Sequence, residues 1–371
     1  MPARINIIWK CILLWLVFNT AALQGQILKD SAALNLLKRG VDAIYGYQFE
    51  EARNASKKLS SIYPGHPVIN LYNGMVTYWE NFPLIPSSPA SVSYENYLNT
   101  CIKQCEDARK PGDYAEYLLA NLGARGMLLM YYADNNLNAK LNPLVMSTYR
   151  HVRECFDYVS VYPDFYFFTG LYNYYREAYP EAHPIYKMLA FLFPKGDMVK
   201  GLLELENAGV NSIMLKAEAY TFLSIIFMSF ENNYQRSIAY TKGLHELYPG
   251  NLSYLAEYVK NLLLLKNYDE ADTIIASSGR ETGSAYFEAQ SAVFIGILQE
   301  KKYRNYIQAR KYYNKAINDL SGFGYYGNDY SSYAYFGLSR ISEAENDKQN
   351  KKTFRKKALD LTSYKNVNFD E

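Results

Sequence analysis

Residues 40–74 read GVDAIYGYQFEEARNASKKLSSIYPGHPVINLYNG, and their reading decides the fold. Gly40 and Gly74 stand 34 apart, with Ala52 and Pro64 between them. Apolar residues recur at three- and four-residue spacings on both sides of Tyr47-Gln48, the pattern of two amphipathic helices joined by a short turn. Each residue has a mechanical reason. A glycine on the first helix lets another helix come close, an alanine on the second does the same from the other side, and a proline stops the second helix. Tyr63-Pro64-Gly65-His66 then leads into the next first helix, around Gly74.

The unit recurs. Tyr234-Gln235-Arg236-Ser237 runs through Leu244 to Leu247-Tyr248-Pro249-Gly250-Asn251; Ser237 lies 12 before its proline, as Ala52 does before Pro64. Ala271 follows Ser237 by 34, inside Asn267-Tyr268-Asp269-Glu270-Ala271. Tyr306-Ile307-Gln308-Ala309 opens another second helix, Pro163 and Gly170 mark a weaker junction, and Gly337 and Ala358 belong to the last unit. Repetition at a period of 20 to 50 residues indicates stacked supersecondary units, here about seven to nine helix pairs.

Spacing, order and closing proline together resemble the tetratricopeptide repeat. The resemblance implies an all-α fold, an α-solenoid of helix-turn-helix repeats wound into a right-handed superhelix, over residues 26–371. A capping pair is expected at 331–371 and irregularity around 81–93 and 161–208. Residues 81–93 (NFPLIPSSPASVS) hold three prolines and four serines and are expected to form an extended loop. Residues 322–330 (GFGYYGNDY) read as a further loop. The order of residues 161–208 is similar to a divergent tetratricopeptide group that includes a eukaryotic mitochondrial outer-membrane family.

The flanks and composition bound the function. Residues 1–25 carry Arg4 and Lys10, no acid, and the apolar run CILLWLVF at 11–18 before NTAALQGQ. That is the form of a cleavable signal peptide, with cleavage expected after Ala22 or Gly25 and a destination in the periplasm or at the outer membrane of a Gram-negative bacterium; an uncleaved anchor starting near Ile5 is the alternative. No later run is long and apolar enough for a membrane span. The chain has 39 Lys+Arg against 37 Asp+Glu, and loss of Arg4 and Lys10 leaves 37 against 37, which argues against nucleic acid as a partner. Three cysteines follow the leader, Cys101, Cys105 and Cys155, and are expected as free thiols. No nucleophile elbow, phosphate-binding loop or metal-ligand spacing occurs, so neither a cofactor nor a metal is expected. The acid pairs Glu50/Glu51, Glu204/Glu206 and Asp269/Glu270 read as solvated faces, and the bases from Lys348 to Lys357 as the outer face of the terminal helix.

The 38 tyrosines carry the functional reading. In the tetratricopeptide family the first helices line a concave face, and transferring its inward positions onto this chain singles out Leu71, Met75, Tyr78 and Trp79; Phe167, Leu171, Tyr174 and Tyr175; and Phe222 and Ile226. Two states of this stripe are expected to compete: packed core, or an open wall that holds an apolar helix or extended peptide through aromatic anchors. The expected role is a non-enzymatic scaffold for a protein or peptide partner. A glycan-binding accessory protein of the outer membrane and a hydrolase on a helical frame are the alternatives.

Overall fold

The computed structural model describes residues 26–86, 88–107, 114–182, 187, 191, 193–278 and 283–370. The expected leader, 1–25, lies outside them. No strand forms among the described residues, and helices follow one another in pairs. Helices α1 (Ser31–Tyr45) and α2 (Phe49–Ile62), α3 (Pro67–Glu80) and α4 (Pro89–Asp107), α5 (Tyr114–Asp134) and α6 (Asn138–Cys155), and α7 (Phe165–Ala182) and α8 (Met198–Asn211) make the first four. The rest are α9 (Lys216–Ser229) with α10 (Tyr234–Leu247), α11 (Leu252–Leu264) with α12 (Tyr268–Ser277), α13 (Ala285–Lys301) with α14 (Tyr306–Leu320), and α15 (Asn328–Ala344) with α16 (Lys348–Leu361). Each second helix also packs on the first helix of the next pair.

One turn recurs inside the pairs. Tyr47, Asn136, Asn232, Lys266, Arg304 and Asn346 all hold left-handed backbone, with φ between 51° and 61°. At four of these turns an N–H reaches the carbonyl five residues back, Gln48 to Ala43, Leu137 to Tyr132, Asn267 to Leu262 and Asp347 to Ser342, at 2.8–2.9 Å. This closes the ends of these four first helices with the same hydrogen-bond pattern and the same chain reversal. The next first helix then starts on a polar cap: His66 Nδ1 accepts from the Val68 N–H at 3.2 Å ahead of Pro67, and Asn251 Oδ1 accepts from Ser253 and Tyr254.

The small residues of the opening stretch act together. A Cβ on Gly40 would stand 2.3 Å from the Tyr72 hydroxyl, so only glycine admits that ring. The same hydroxyl donates to the Ala52 carbonyl at 2.9 Å, and Ala52 is fully buried. Tyr72 of α3 thereby locks against both helices of the preceding pair.

Two expected loops are shorter than their composition suggests. Helix α4 starts at Pro89, inside the stretch expected as a loop, because proline is tolerated in a first helical turn and the Ser88 Oγ accepts from the Ser91 N–H at 3.1 Å. Residues 321–327 form 3-10 helix, with the left-handed Gly324 (φ 57°) absorbing the kink, and α15 begins directly at Asn328. Glu204 departs from the expected solvated face: it is buried and accepts from Asn173 Nδ2 at 2.8 Å.

Pairs far apart in sequence also meet. Tyr45 of α1 packs its ring against Tyr248 (5.4 Å between centroids) and Tyr254 (6.3 Å). The Tyr248 hydroxyl donates to Asp42, and Asn251 Nδ2 donates to the Tyr45 carbonyl. Phe82, after α3, contacts Tyr286 of α13 and Tyr326. The segment after α16 turns inward: Val367 and Phe369 are buried, and Tyr364 meets Phe230. In an open repeat array each unit touches its neighbours alone. Here the first-helix side of the early pairs is joined by aromatic contacts to the later ones, through Tyr45, Phe82, Tyr248, Tyr254, Tyr286 and Tyr326.

Candidate binding cavity

The first helices α1 and α3, and α3 and α5, touch along the inner side. A cavity of about 1100 Å³ is lined from α1, α3, α5, α6, α7 and α9. Leu37 and Val41 of α1 and Leu71 and Met75 of α3 line one side; Met127 and Met130 of α5, Val145 and Met146 of α6, Phe167, Leu171 and Tyr175 of α7, and Phe222 of α9 line the rest. Gly123 and Gly126 widen it from α5, and a Cβ on Gly126 would meet nothing within 4 Å. Met130, Val145 and Met146 remain exposed although apolar, because helix α6 buries little of itself against its neighbours. Met75, Met127, Met130, Met146 and Met214 all line the cavity, five of the nine methionines in the chain. Thioether side chains adapt their shape to what they touch, so the wall is apolar and deformable.

Two carboxyl groups and one guanidinium reach this apolar wall. Glu116 is buried and satisfied: Oε1 accepts from the Ile27 N–H at 3.1 Å and lies 3.1 Å from His66 Nε2, and Oε2 accepts from the Leu28 N–H at 3.3 Å. Leu28, held this way, lines the cavity. Arg176 donates through Nε and Nη2 to the Phe193 carbonyl at 3.2 and 3.0 Å and pairs with Glu177. Glu218 is different. Its Oε1 accepts from the Tyr45 hydroxyl, while Oε2 is buried with no hydrogen-bond partner. Burial pushes this carboxyl up to about 8, so at neutral pH it is largely protonated.

Of the ten residues expected to face a partner, six line the cavity: Leu71, Met75, Phe167, Leu171, Tyr175 and Phe222. The other four pack elsewhere. Tyr78 is buried against Trp79, Phe82 and Tyr94, and the half-buried Trp79 stands between Tyr45, Tyr47 and Tyr254. Tyr174 is buried with its hydroxyl on Glu231, and Ile226 is fully buried. Glu218, Glu116 and the methionines of α5 and α6 were missed by the sequence reading. Glu218 had a visible sign, as the one acid before Glu231 in KAEAYTFLSIIFMSF (216–230). The part played by α6 had none, since its apolar face reads like that of any second helix.

Cys101 and Cys155 are buried free thiols and Cys105 is a half-buried one. No group of three or more His, Cys, Asp or Glu poised for a metal occurs among the described residues, and no described helix is long and apolar enough to cross a membrane. No protein-family model and no curated protein matches the chain.

Proposed function

We propose that the protein is a non-enzymatic, exported scaffold of tetratricopeptide-like solenoid repeats that holds an apolar segment of a partner protein in this cavity. The observation that carries this reading is the cavity itself: about 1100 Å³ of space walled by Leu, Val, Met and Phe side chains. A helix is about 10–12 Å across with its side chains and rises about 1.5 Å per residue, so this space matches roughly two turns of an inserted apolar helix. An adaptable methionine wall suits that mode of recognition. The recurring left-handed turn and the contact of Gly40, Ala52 and Tyr72 support the repeat reading. A carbohydrate suits this wall poorly, since hydroxyls against Leu, Val and Met side chains lose their hydrogen bonds to water without replacement. The test is capture of a partner from periplasmic extract by the wild type and by Gly126→Leu, which fills the cavity from a position with free space around it. Loss of the captured protein in the variant supports the reading, and equal capture by both overturns it.

A further inference from the structure

We propose that the apolar segment received by this cavity is the C-terminal end of its partner, and that its terminal carboxylate is met by Arg153 at the end of α6 and Lys195 before α8. The inference rests on the binding role argued above and adds which part of the partner enters. A smaller recess of about 300 Å³ adjoins the cavity, with Tyr149 and Tyr172 in the walls of both. Phe156, Asn173 and Pro194 complete it together with the two cations, and no acid lines it.

Helix α6 and the residue after it run from one space into the other. Val145, Met146, Tyr149 and Val152 line the large cavity, and Tyr149, Arg153 and Phe156 line the recess. These positions recur at three- and four-residue spacings and so share one helix face. At about 1.5 Å per residue, Arg153 stands roughly 10 Å beyond Met146 along that face. On α7, Leu171 and Tyr175 line the cavity and Tyr172 lines both spaces. An apolar segment lying along α6 therefore brings its end to Arg153.

The two cations are open and unengaged. Both are exposed, and among the described residues neither pairs with an acid or hydrogen-bonds to a neighbour. The bases around them are engaged: Lys200 lies 5.8 Å over the Phe156 ring and 3.7 Å from Glu204, and Arg176 is held by Glu177 and the Phe193 carbonyl. Two free bases at the end of an apolar space fit an anion that terminates an apolar chain. The C-terminal end of a helix supplies one, since its last carbonyls carry partial negative charge that adds to the carboxylate, and arginine grips a carboxylate with two parallel donors. At this open end the charge keeps contact with water, so its desolvation does not oppose entry of the apolar part.

The experiment is isothermal titration of the full chain with an N-acetylated leucine/alanine peptide of about nine residues, made with a free C-terminal carboxylate or a C-terminal amide. The acid is expected to bind about fivefold tighter than the amide at low salt, the gap closing as salt is raised. In the double variant Arg153→Gln, Lys195→Gln, whose altered side chains are both exposed, acid and amide are expected to bind alike. Equal affinity of the wild type for acid and amide, or a gap that survives the double substitution, overturns the carboxylate assignment and leaves the binding role standing. Dodecanoate, titrated in parallel, overturns the assignment to a protein terminus if it binds tighter than the acid peptide. Binding of neither peptide overturns both proposals.

Discussion

Tyr45 and Glu218 are hydrogen-bonded to each other although 173 positions separate them. The bond joins the first helix pair to the fifth and ties the inner side of the fold together at the edge of the cavity. Tyr45→Phe removes the side-chain donor to the buried Glu218 carboxyl. The expected result is a loss of about 1–3 kcal/mol in urea unfolding with a normal helical spectrum, the range for stranding a buried polar group.

Glu218 also sets a pH dependence. Its carboxyl sits at about 8 in the folded chain against an ordinary 4.5, so between those values the folded state holds a proton that the unfolded state has lost. Stability contributed by this group is therefore greatest at the acid end and falls as pH rises through 4.5 to 8. Glu218→Gln is expected to flatten that slope in denaturation midpoints measured across this range. An unchanged slope contradicts the assignment.

Gly40 and Gly126 are expected to respond oppositely to alanine. A Cβ at Gly40 meets the Tyr72 hydroxyl at 2.3 Å, whereas one at Gly126 meets nothing within 4 Å. Gly40→Ala should cost about 1–3 kcal/mol by overpacking, and Gly126→Ala should gain up to about 1 kcal/mol from helix propensity. Thermal melts of the two variants side by side check this.

Asp164 sits buried before α7 and receives the N–H groups of Ile213, Met214 and Leu215 at 2.8–3.1 Å, fixing the start of α9 from the preceding pair. Burial nonetheless raises its carboxyl above the usual range, the amides opposing that shift. Asp164→Ala strands three amide donors and should cost about 3 kcal/mol or more, with Asp164→Asn in between, read from chemical denaturation.

The local part of the fold was legible because its causes are local. Gly40 and Ala52 meet Tyr72 of the adjoining pair and Pro64 lies just after the second helix, so their spacing can be read without knowing where the rest of the chain lies. The inward positions were transferred from the tetratricopeptide pattern, and six of the ten, Leu71, Met75, Phe167, Leu171, Tyr175 and Phe222, line the cavity. What was not legible depends on how pairs far apart in sequence pack on one another. Tyr78 and Trp79 meet packed rings because α3 lies near Tyr45, Phe82 and Tyr254, and no periodicity encodes that proximity. The exposure of Val145 and Met146 is of the same kind: both look like ordinary core positions in the sequence, yet they lie open at the cavity.

The most direct measurement is a fluorescence titration of the wild type and of Gly126→Leu with diphenylhexatriene, an uncharged apolar dye. Saturable uptake by the wild type, abolished in a Gly126→Leu chain that melts at the same or a higher temperature, is expected if the cavity is a binding site. Absence of uptake by the wild type, or equal uptake by both proteins, contradicts it.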